Sequence, residues 1–223
     1  MRPQTIVRAT AACAALGALL AAVLAAGAPP LHPAAAHAAA RAARPGAGDV
    51  AIAHRRLDVV AGRRALLSGR VAAAGAGRPV ALQRRSGHGW HTLDRDRTAP
   101  DGGFAFRFRP RKAGSAVVRV RSGAGAEHVG RLNVYRHARV SWYGPGLYGG
   151  RLGCGGTLTP GTLGVANRTL PCGTKVTLRH GGRTLRVPVI DRGPFSGGRE
   201  FDLTAATKQR LGFGGAGTIL VAA

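Results

Sequence analysis

Three carboxylates, Asp191, Glu200 and Asp202, lie in the last 85 residues of the chain, among eleven Lys and Arg side chains. Cleavage of a glycosidic bond by acid–base chemistry requires at least one positioned Asp or Glu. Any such chemistry in this segment must therefore use one of these three. Asp191 follows an apolar run and precedes the sequence Arg192-Gly-Pro, and polar groups at such a strand-to-turn junction often line clefts. It could equally order the turn by pairing with Arg192 or with a neighbouring backbone N–H.

The other two carboxylates have strong structural interpretations. Asp202 and Thr204 both stand at the start of an apolar helical pattern, and either side chain can cap the helix, so capping is an ordinary role for this aspartate. Glu200 alternates with Phe201 beside basic neighbours, which favours a solvated side chain. Asp191 is therefore the primary catalytic candidate, with Asp202 as the second.

The periodicity around these residues predicts an all-β protein in two units. Residues 49–135 contain about seven short runs that alternate apolar and polar side chains, which predicts an immunoglobulin-like β-sandwich. After a linker at 136–138, residues 139–223 show Gly-rich loops, several strands and one short helix ending at Gly212. The carboxylates belong to the second unit.

The N-terminus indicates export. Residues 1–38 have a basic start, an uncharged Ala/Leu/Val run and a small-x-small cleavage site, which predicts a signal peptide followed by a flexible linker at 39–48. We therefore expect a secreted, wall-associated protein with no stable membrane span after cleavage. The formal charge of +24 attracts polyanions, and after export the candidates are anionic wall polymers rather than nucleic acid.

Two cysteines, Cys154 and Cys172, remain after the predicted cleavage. An even pair outside the cytoplasm predicts one disulfide. A zinc site would need four ligands at characteristic spacings, and these are missing. The sequence predicts neither a metal site nor a cofactor.

Four blocks of the second unit resemble the rare lipoprotein A-like family. They are VSWYGPGLYG at 140–149, ANRTLPCGT at 166–174, IDRGPF at 190–195 and DLT at 202–204. The resemblance covers about residues 139–223 and implies a six-stranded double-psi β-barrel with a substrate groove. For the best-known members it implies a lytic transglycosylase that cleaves peptidoglycan glycan strands.

The resemblance also implies a set of site residues. Asp191 and Asp202 match the family's catalytic positions. Two positions depart from its pattern: Gly156 stands where lytic members have a glutamate, and Asn167 replaces a histidine. An asparagine can hydrogen-bond a sugar but cannot transfer a proton near neutral pH. The predicted substrate-binding residues are Trp142, Tyr143, Tyr148, Asn167 and Arg192.

Three functions remain open at this stage. The first is an exported lytic transglycosylase retained near the wall by the basic sandwich. The second is an expansin-like protein that holds glycan in the same groove and loosens the wall without cleavage. The third is a secreted inhibitor of proteases, since small disulfide-bonded barrels of this type include such proteins. The retained Asp191 turn favours the first two, and the missing glutamate favours the last two.

Overall fold

The computed structural model describes residues 50–223. The predicted signal peptide (1–38) and flexible linker (39–48) lie outside the described residues. Within residues 50–223, no helix has the length and apolar character needed to cross a membrane.

The described chain is built almost entirely of β-strands and contains one short helix. In chain order the elements are β1 (Val50–Arg56), β2 (Asp58–Val60), β3 (Ala65–Val71), β4 (Pro79–Ser86), β5 (Gly89–Arg97), β6 (Gly103–Phe108), β7 (Gly114–Ser122), β8 (Gly125–Tyr143), β9 (Val165–Ala166), β10 (Lys175–His180), β11 (Arg183–Asp191), β12 (Phe201–Thr204), α1 (Ala205–Leu211) and β13 (Gly217–Ala222). The predicted all-β class is confirmed.

The first unit is a two-layer β-sandwich, as its period-2 pattern predicts. One sheet has the order β1-β3-β6, and the other places β5, β4, β7 and the first half of β8 side by side, with β2 parallel to β8. Alternate side chains of both sheets meet in one apolar core. This core includes Leu67, Leu82, Phe106, Val118 and Val120, which are completely buried.

A single strand, β8, joins the sandwich to the second unit. Its early residues pair with β7 in the sandwich, whereas its later residues pair with β13 and β12. Residues 136–138, predicted as a linker, lie inside this strand, so that prediction is wrong. Ala138 is 2% exposed and pairs with Ile219. Because that position is buried and hydrogen-bonded, the segment cannot act as a free hinge.

The second unit is a closed six-stranded barrel. Its strands follow one another as β8-β12-β9-β11-β10-β13, and β13 pairs back to β8. The pairs β8–β12 and β9–β11 are parallel, and the others are antiparallel. The barrel encloses a core that includes Val140, Val165, Leu178, Val189 and Leu203. The predicted double-psi barrel with one short helix is confirmed.

The helix is capped by a threonine rather than by the aspartate before it. The Thr204 hydroxyl accepts a hydrogen bond from the Thr207 N–H at 3.2 Å, and Gly212 ends the helix in the left-handed conformation with φ 65°. Asp202 therefore belongs to strand β12, and its carboxylate is not used as a cap.

Candidate active site

Asp191 and Asp202 lie in one row across three neighbouring strands of the barrel. Ala166 on β9 pairs with Asp191 at the end of β11 on one side and with Asp202 on β12 on the other. Paired residues project from the same face of a sheet, and two strand spacings place the two Asp Cα atoms about 10 Å apart. The closed barrel thus brings together two carboxylates that are eleven positions apart in sequence.

The Asp191 carboxylate is held by backbone N–H groups. Its Oδ1 atom accepts hydrogen bonds from the N–H of Gly153 at 2.7 Å and from the N–H of Arg192 at 2.8 Å. The side chain is half-buried. Within residues 50–223, both direct hydrogen bonds to this carboxylate go to Oδ1. Two backbone donors from different loops therefore orient the Asp191 side chain.

The Asp202 carboxylate is hydrogen-bonded to the hydroxyl of Ser141, which donates to Oδ1. Ser141 is the residue that pairs with Asp202 in the parallel register of β8 and β12. The bond therefore joins the side chains of two paired positions and extends the row by one strand. Sequence reasoning missed Ser141, although its place in the first family block next to Trp142 was a usable signal.

Tyr143 lies on the same face of β8 as Ser141, because residues two apart in a strand project to the same side. Burial raises the pKa of the Tyr143 hydroxyl, and the charge of Asp191, a hydrogen-bonding interaction with the same carboxylate and, more weakly, the charge of Asp202 raise it further. The hydroxyl is buried, and its contact with Asp191 falls short of direct hydrogen-bond geometry. Tyr143 is therefore a neutral donor that lies close enough to both carboxylates to sense their charge.

A disulfide fixes the loop that supplies the Gly153 N–H. Cys154 and Cys172 are bonded with a Cα–Cα distance of 5.6 Å, which confirms the predicted bridge. The N–H of Cys154 also donates to the Ile190 carbonyl at 3.1 Å. Both contacts hold residues 153–154 against the end of β11, beside Asp191.

Asn167 organises a loop and is not free to bind substrate. Its Nδ2 donates to the Glu200 carbonyl at 2.9 Å, and its Oδ1 accepts from the N–H groups of Leu170 at 2.8 Å and Thr169 at 3.1 Å. The residue is 8% exposed. Because both amide atoms are used inside the fold, its predicted role in substrate binding is not supported.

Arg192 has a similar internal role. One guanidinium nitrogen donates to the carbonyls of Leu170 at 2.7 Å and Asn167 at 3.1 Å, and the other contacts the Cys172 sulfur at 2.9 Å. These contacts tie the turn after Asp191 to the loop that carries the disulfide. The predicted contact with a substrate carboxylate would have to compete with them.

The three predicted aromatic residues do not form one platform. Trp142 projects from the face of β8 opposite to Tyr143, and its ring centroid lies 3.9 Å from the Lys208 ammonium on α1. Tyr148 is 40% exposed, and its hydroxyl lies next to Gly144. Of the three, Tyr143 alone lies beside both carboxylates.

The position that carries a glutamate in lytic members is part of an exposed glycine turn. Gly156 has φ +82°, a backbone conformation that side chains with a Cβ rarely adopt. A side chain there would be strained unless the backbone changed. Within residues 50–223 no group of three or more His, Cys, Asp or Glu is placed to hold a metal ion.

Replacing Gly153 by alanine should displace the Asp191 carboxylate. A Cβ atom at Gly153 would lie 3.0 Å from Asp191 Oδ1 and 3.0 Å from Arg192 Cγ, closer than such atoms normally approach. We expect turnover to fall by about tenfold or more, because small misplacements of a reacting group are costly. For the glycan cleavage that the family resemblance implies, the measurement is the rate of product release from glycan strands.

The matched control is Gly161→Ala in the same long loop, where a Cβ meets nothing within 4 Å. This variant should keep the parent rate. Equal rates for the Gly153 variant and the control would contradict the assigned role of the Gly153 contact.

Comparison with known proteins finds domains similar to the barrel. Residues 136–223 match a family model described as lytic transglycolase. The chain is 44% identical over 80 residues to the probable endolytic peptidoglycan transglycosylase RlpA of Synechocystis, covering 35% of this chain and 25% of that protein. It is 39% identical over 81 residues to the endolytic peptidoglycan transglycosylase RlpA of Campylobacter jejuni, covering 35% and 30%.

A third relative is the probable RlpA of Aquifex aeolicus, 33% identical over 90 residues and covering 40% of each chain. Among solved structures, Streptomyces papain inhibitor is 22% identical with a TM-score of 0.32, covering 40% of this chain and 92% of that one. The chain spans between a quarter and two fifths of the three RlpA proteins. Residues 136–223 of this chain are therefore similar to lytic transglycolase domains of the RlpA type.

Proposed function

We propose that this protein is a secreted lytic transglycosylase that cleaves the glycan strands of peptidoglycan. The observation that carries the proposal is the row of Asp191 and Asp202 across β11, β9 and β12, in a barrel whose relatives are named as peptidoglycan transglycosylases. The proposal includes export to the cell wall, in agreement with the N-terminal sequence.

The proposed reaction needs no activated water. The Asp191 carboxyl donates a proton to the leaving glycosidic oxygen as the bond to the anomeric carbon breaks. The 6-hydroxyl of the same muramic acid then attacks that carbon, and its proton returns to Asp191. The products are an anhydro-muramyl end and a free hydroxyl on the released strand, so atoms and protons balance.

Asp202 supports this reaction as a fixed negative charge. Glycosidic cleavage passes through a transition state with positive charge on the sugar ring. A preoriented carboxylate stabilises such a charge without having to reorganise during the reaction. The Ser141 hydroxyl orients Asp202 by a direct hydrogen bond, which fits this positioning role.

The test is mass spectrometry of glycan strands after incubation with the purified protein, using strands with and without stem peptides. Anhydro-muramyl ends that accumulate with time are the expected result. Strands that remain intact, or that carry reducing ends produced by hydrolysis, would overturn the proposed activity.

The second candidate is an expansin-like protein that binds and loosens glycan without cleavage. It is favoured by the loss of the family glutamate at Gly156 and of the histidine at Asn167, whose amide is used internally. In that case the protein should sediment with peptidoglycan and weaken it mechanically while no anhydro ends appear.

Tyr143→Phe should lower turnover without lowering stability. The hydroxyl is buried and lies close enough to Asp191 for that carboxylate to raise its pKa, so it is placed to orient the Asp191 carboxylate. Its raised pKa keeps it protonated through the neutral range. We expect kcat to fall by about tenfold, as for loss of one oriented donor in a water-poor site.

Because no hydrogen bond inside the described fold is lost, the melting temperature of the Tyr143 variant should not fall. Tyr135→Phe, which removes a hydroxyl that donates to Asp58 in the sandwich, is the control and should keep the parent kcat. A Tyr143 variant that melts earlier but turns over normally would show that the hydroxyl serves only the fold.

A further inference from the structure

The outer face of the larger sandwich sheet carries a row of arginines that the catalytic proposal does not use. Ala81 on β4 pairs with Arg95 on β5 and with Arg121 on β7. Two positions along β4, Gln83 pairs with Thr92 and Arg119 in the same way. Paired and alternate residues share one face, so all six side chains project outward together.

This face is concave. A trough of about 790 Å³ has Ala81, Gln83 and Thr92 on its floor and Arg95 and Arg121 among its lining residues. We refer to these five residues as the basic trough. From strand spacing, the Cα atoms of Arg95 and Arg121 stand about 10 Å apart, so a chain-like ligand could lie between them.

The positive charge continues beyond the trough along the same sheet. Arg119 donates from Nε to Gln83 Oε1 at 2.9 Å, and its guanidinium lies 4.1 Å from the centre of the Trp90 ring. Burial, Arg121 and Arg85 together lower the pKa of Arg119, as expected where cations accumulate. The sheet therefore holds a band of arginines close enough to repel one another.

Acidic side chains compensate this band only in part. The two salt bridges among the described residues are Arg70–Asp101 and Arg136–Glu200, and neither involves the basic trough. Asp96 borders the trough and offsets part of its charge, with Oδ1 accepting from the Arg97 N–H at 2.8 Å and Oδ2 from the Ala105 N–H at 2.8 Å. Three arginines, Arg95, Arg97 and Arg121, line the same trough, so positive charge is in excess and an external anion would relieve the remaining repulsion.

We propose that the basic trough binds a linear wall polymer with a phosphate diester backbone. An extended polyanion fits better than a single phosphate, because Arg95 and Arg121 flank the trough and Arg119 and Arg85 continue the charge along β4. Arg119 and Arg85 both lie against the half-buried Trp90. A single aromatic ring in this setting is not the series of stacking platforms that single-stranded nucleic acids use. The location in the wall rests on the function proposed above.

The test is binding of purified poly(glycerol phosphate) to the full chain, measured by fluorescence anisotropy at several salt concentrations. The variant is Arg95→Gln/Arg121→Gln, and the control is Arg107→Gln/Arg111→Gln, which removes the same charge from exposed positions elsewhere in the sandwich. We expect the trough variant to raise Kd by about tenfold. The slope of log Kd against log salt concentration should fall by roughly one to two, because two ion contacts are removed. The control should change Kd by less than about twofold.

A second variant, Thr92→Glu, places a negative charge on the floor of the trough and should weaken binding even if the double variant folds poorly. Equal weakening by the control pair would overturn the proposal in favour of diffuse attraction. Equally tight binding of single-stranded DNA of the same charge, with the same dependence on Arg95 and Arg121, would overturn the assigned polymer class. Release of anhydro ends from polymer-free glycan strands is measured separately, so failure of the polymer site and failure of the catalytic proposal are distinguishable.

Discussion

Asp191→Asn is expected to abolish the formation of anhydro-muramyl ends while leaving the fold and glycan binding intact. Asparagine keeps the shape of the side chain, and its Oδ1 can still accept from the Gly153 and Arg192 N–H groups. It cannot give or take the proton that the proposed reaction moves twice. Loss of a general acid–base group costs about a hundredfold to ten-thousandfold in rate. The readout is the rate at which anhydro ends appear by mass spectrometry.

The matched control is Glu200→Gln on the same barrel. Glu200 is paired with Arg136 rather than with the Asp191–Asp202 row, so its variant should keep the parent rate. If Asp191→Asn retained full activity, the acid–base assignment would be wrong. If binding were lost together with activity, Asp191 would serve as a glycan anchor.

Removal of the Cys154–Cys172 disulfide is expected to lower the free energy of unfolding substantially. The two cysteines are 18 positions apart, and closing a loop of this size stabilises a fold by about 3 kcal/mol in the loop-entropy model. Cys154→Ser/Cys172→Ser should therefore lower the melting temperature by several degrees. The measurement is thermal unfolding followed by circular dichroism.

The same change should also reduce turnover, because the loop supplies the Gly153 N–H that orients Asp191. The contact between Arg192 and the Cys172 sulfur is altered as well. Ser196→Ala at an exposed loop position is the control for a small change on the barrel surface. An unchanged melting temperature in the double serine variant would contradict the stabilising role of the bridge.

Part of the site could be predicted from the sequence. Asp191 was recognisable because it ends an apolar strand and precedes a Gly-Pro turn, and the cysteine pair because two thiols remain after the predicted signal cleavage. Both inferences depend on residue types and on their order along the chain, and both can therefore be made from the sequence alone. The sandwich was recognisable for the same reason, since period-2 alternation reports a half-buried strand.

Other features could not be predicted because they depend on distant partners. Asn167 and Arg192 have the chemistry of ligand-binding residues, and in the folded chain they also bond backbone groups such as the Glu200 and Leu170 carbonyls. Residues 136–138 look like a linker because the sequence pattern changes there, from alternating strands to Gly-rich loops. They form a strand because β13, some 80 positions later, pairs with them.

Composition, alternation and the four short motifs determined which residues were chemically able to act and which strands would form, because those properties depend on neighbours in the chain. Closure of the barrel decided the rest. Because β9 lies between β11 and β12, Asp191 and Asp202 lie in one row, and Tyr143 lies beside both carboxylates. Asp202 is part of β12, and Thr204 caps the helix. Such pairing joins residues far apart in the chain, and no local pattern encodes the register in which they meet.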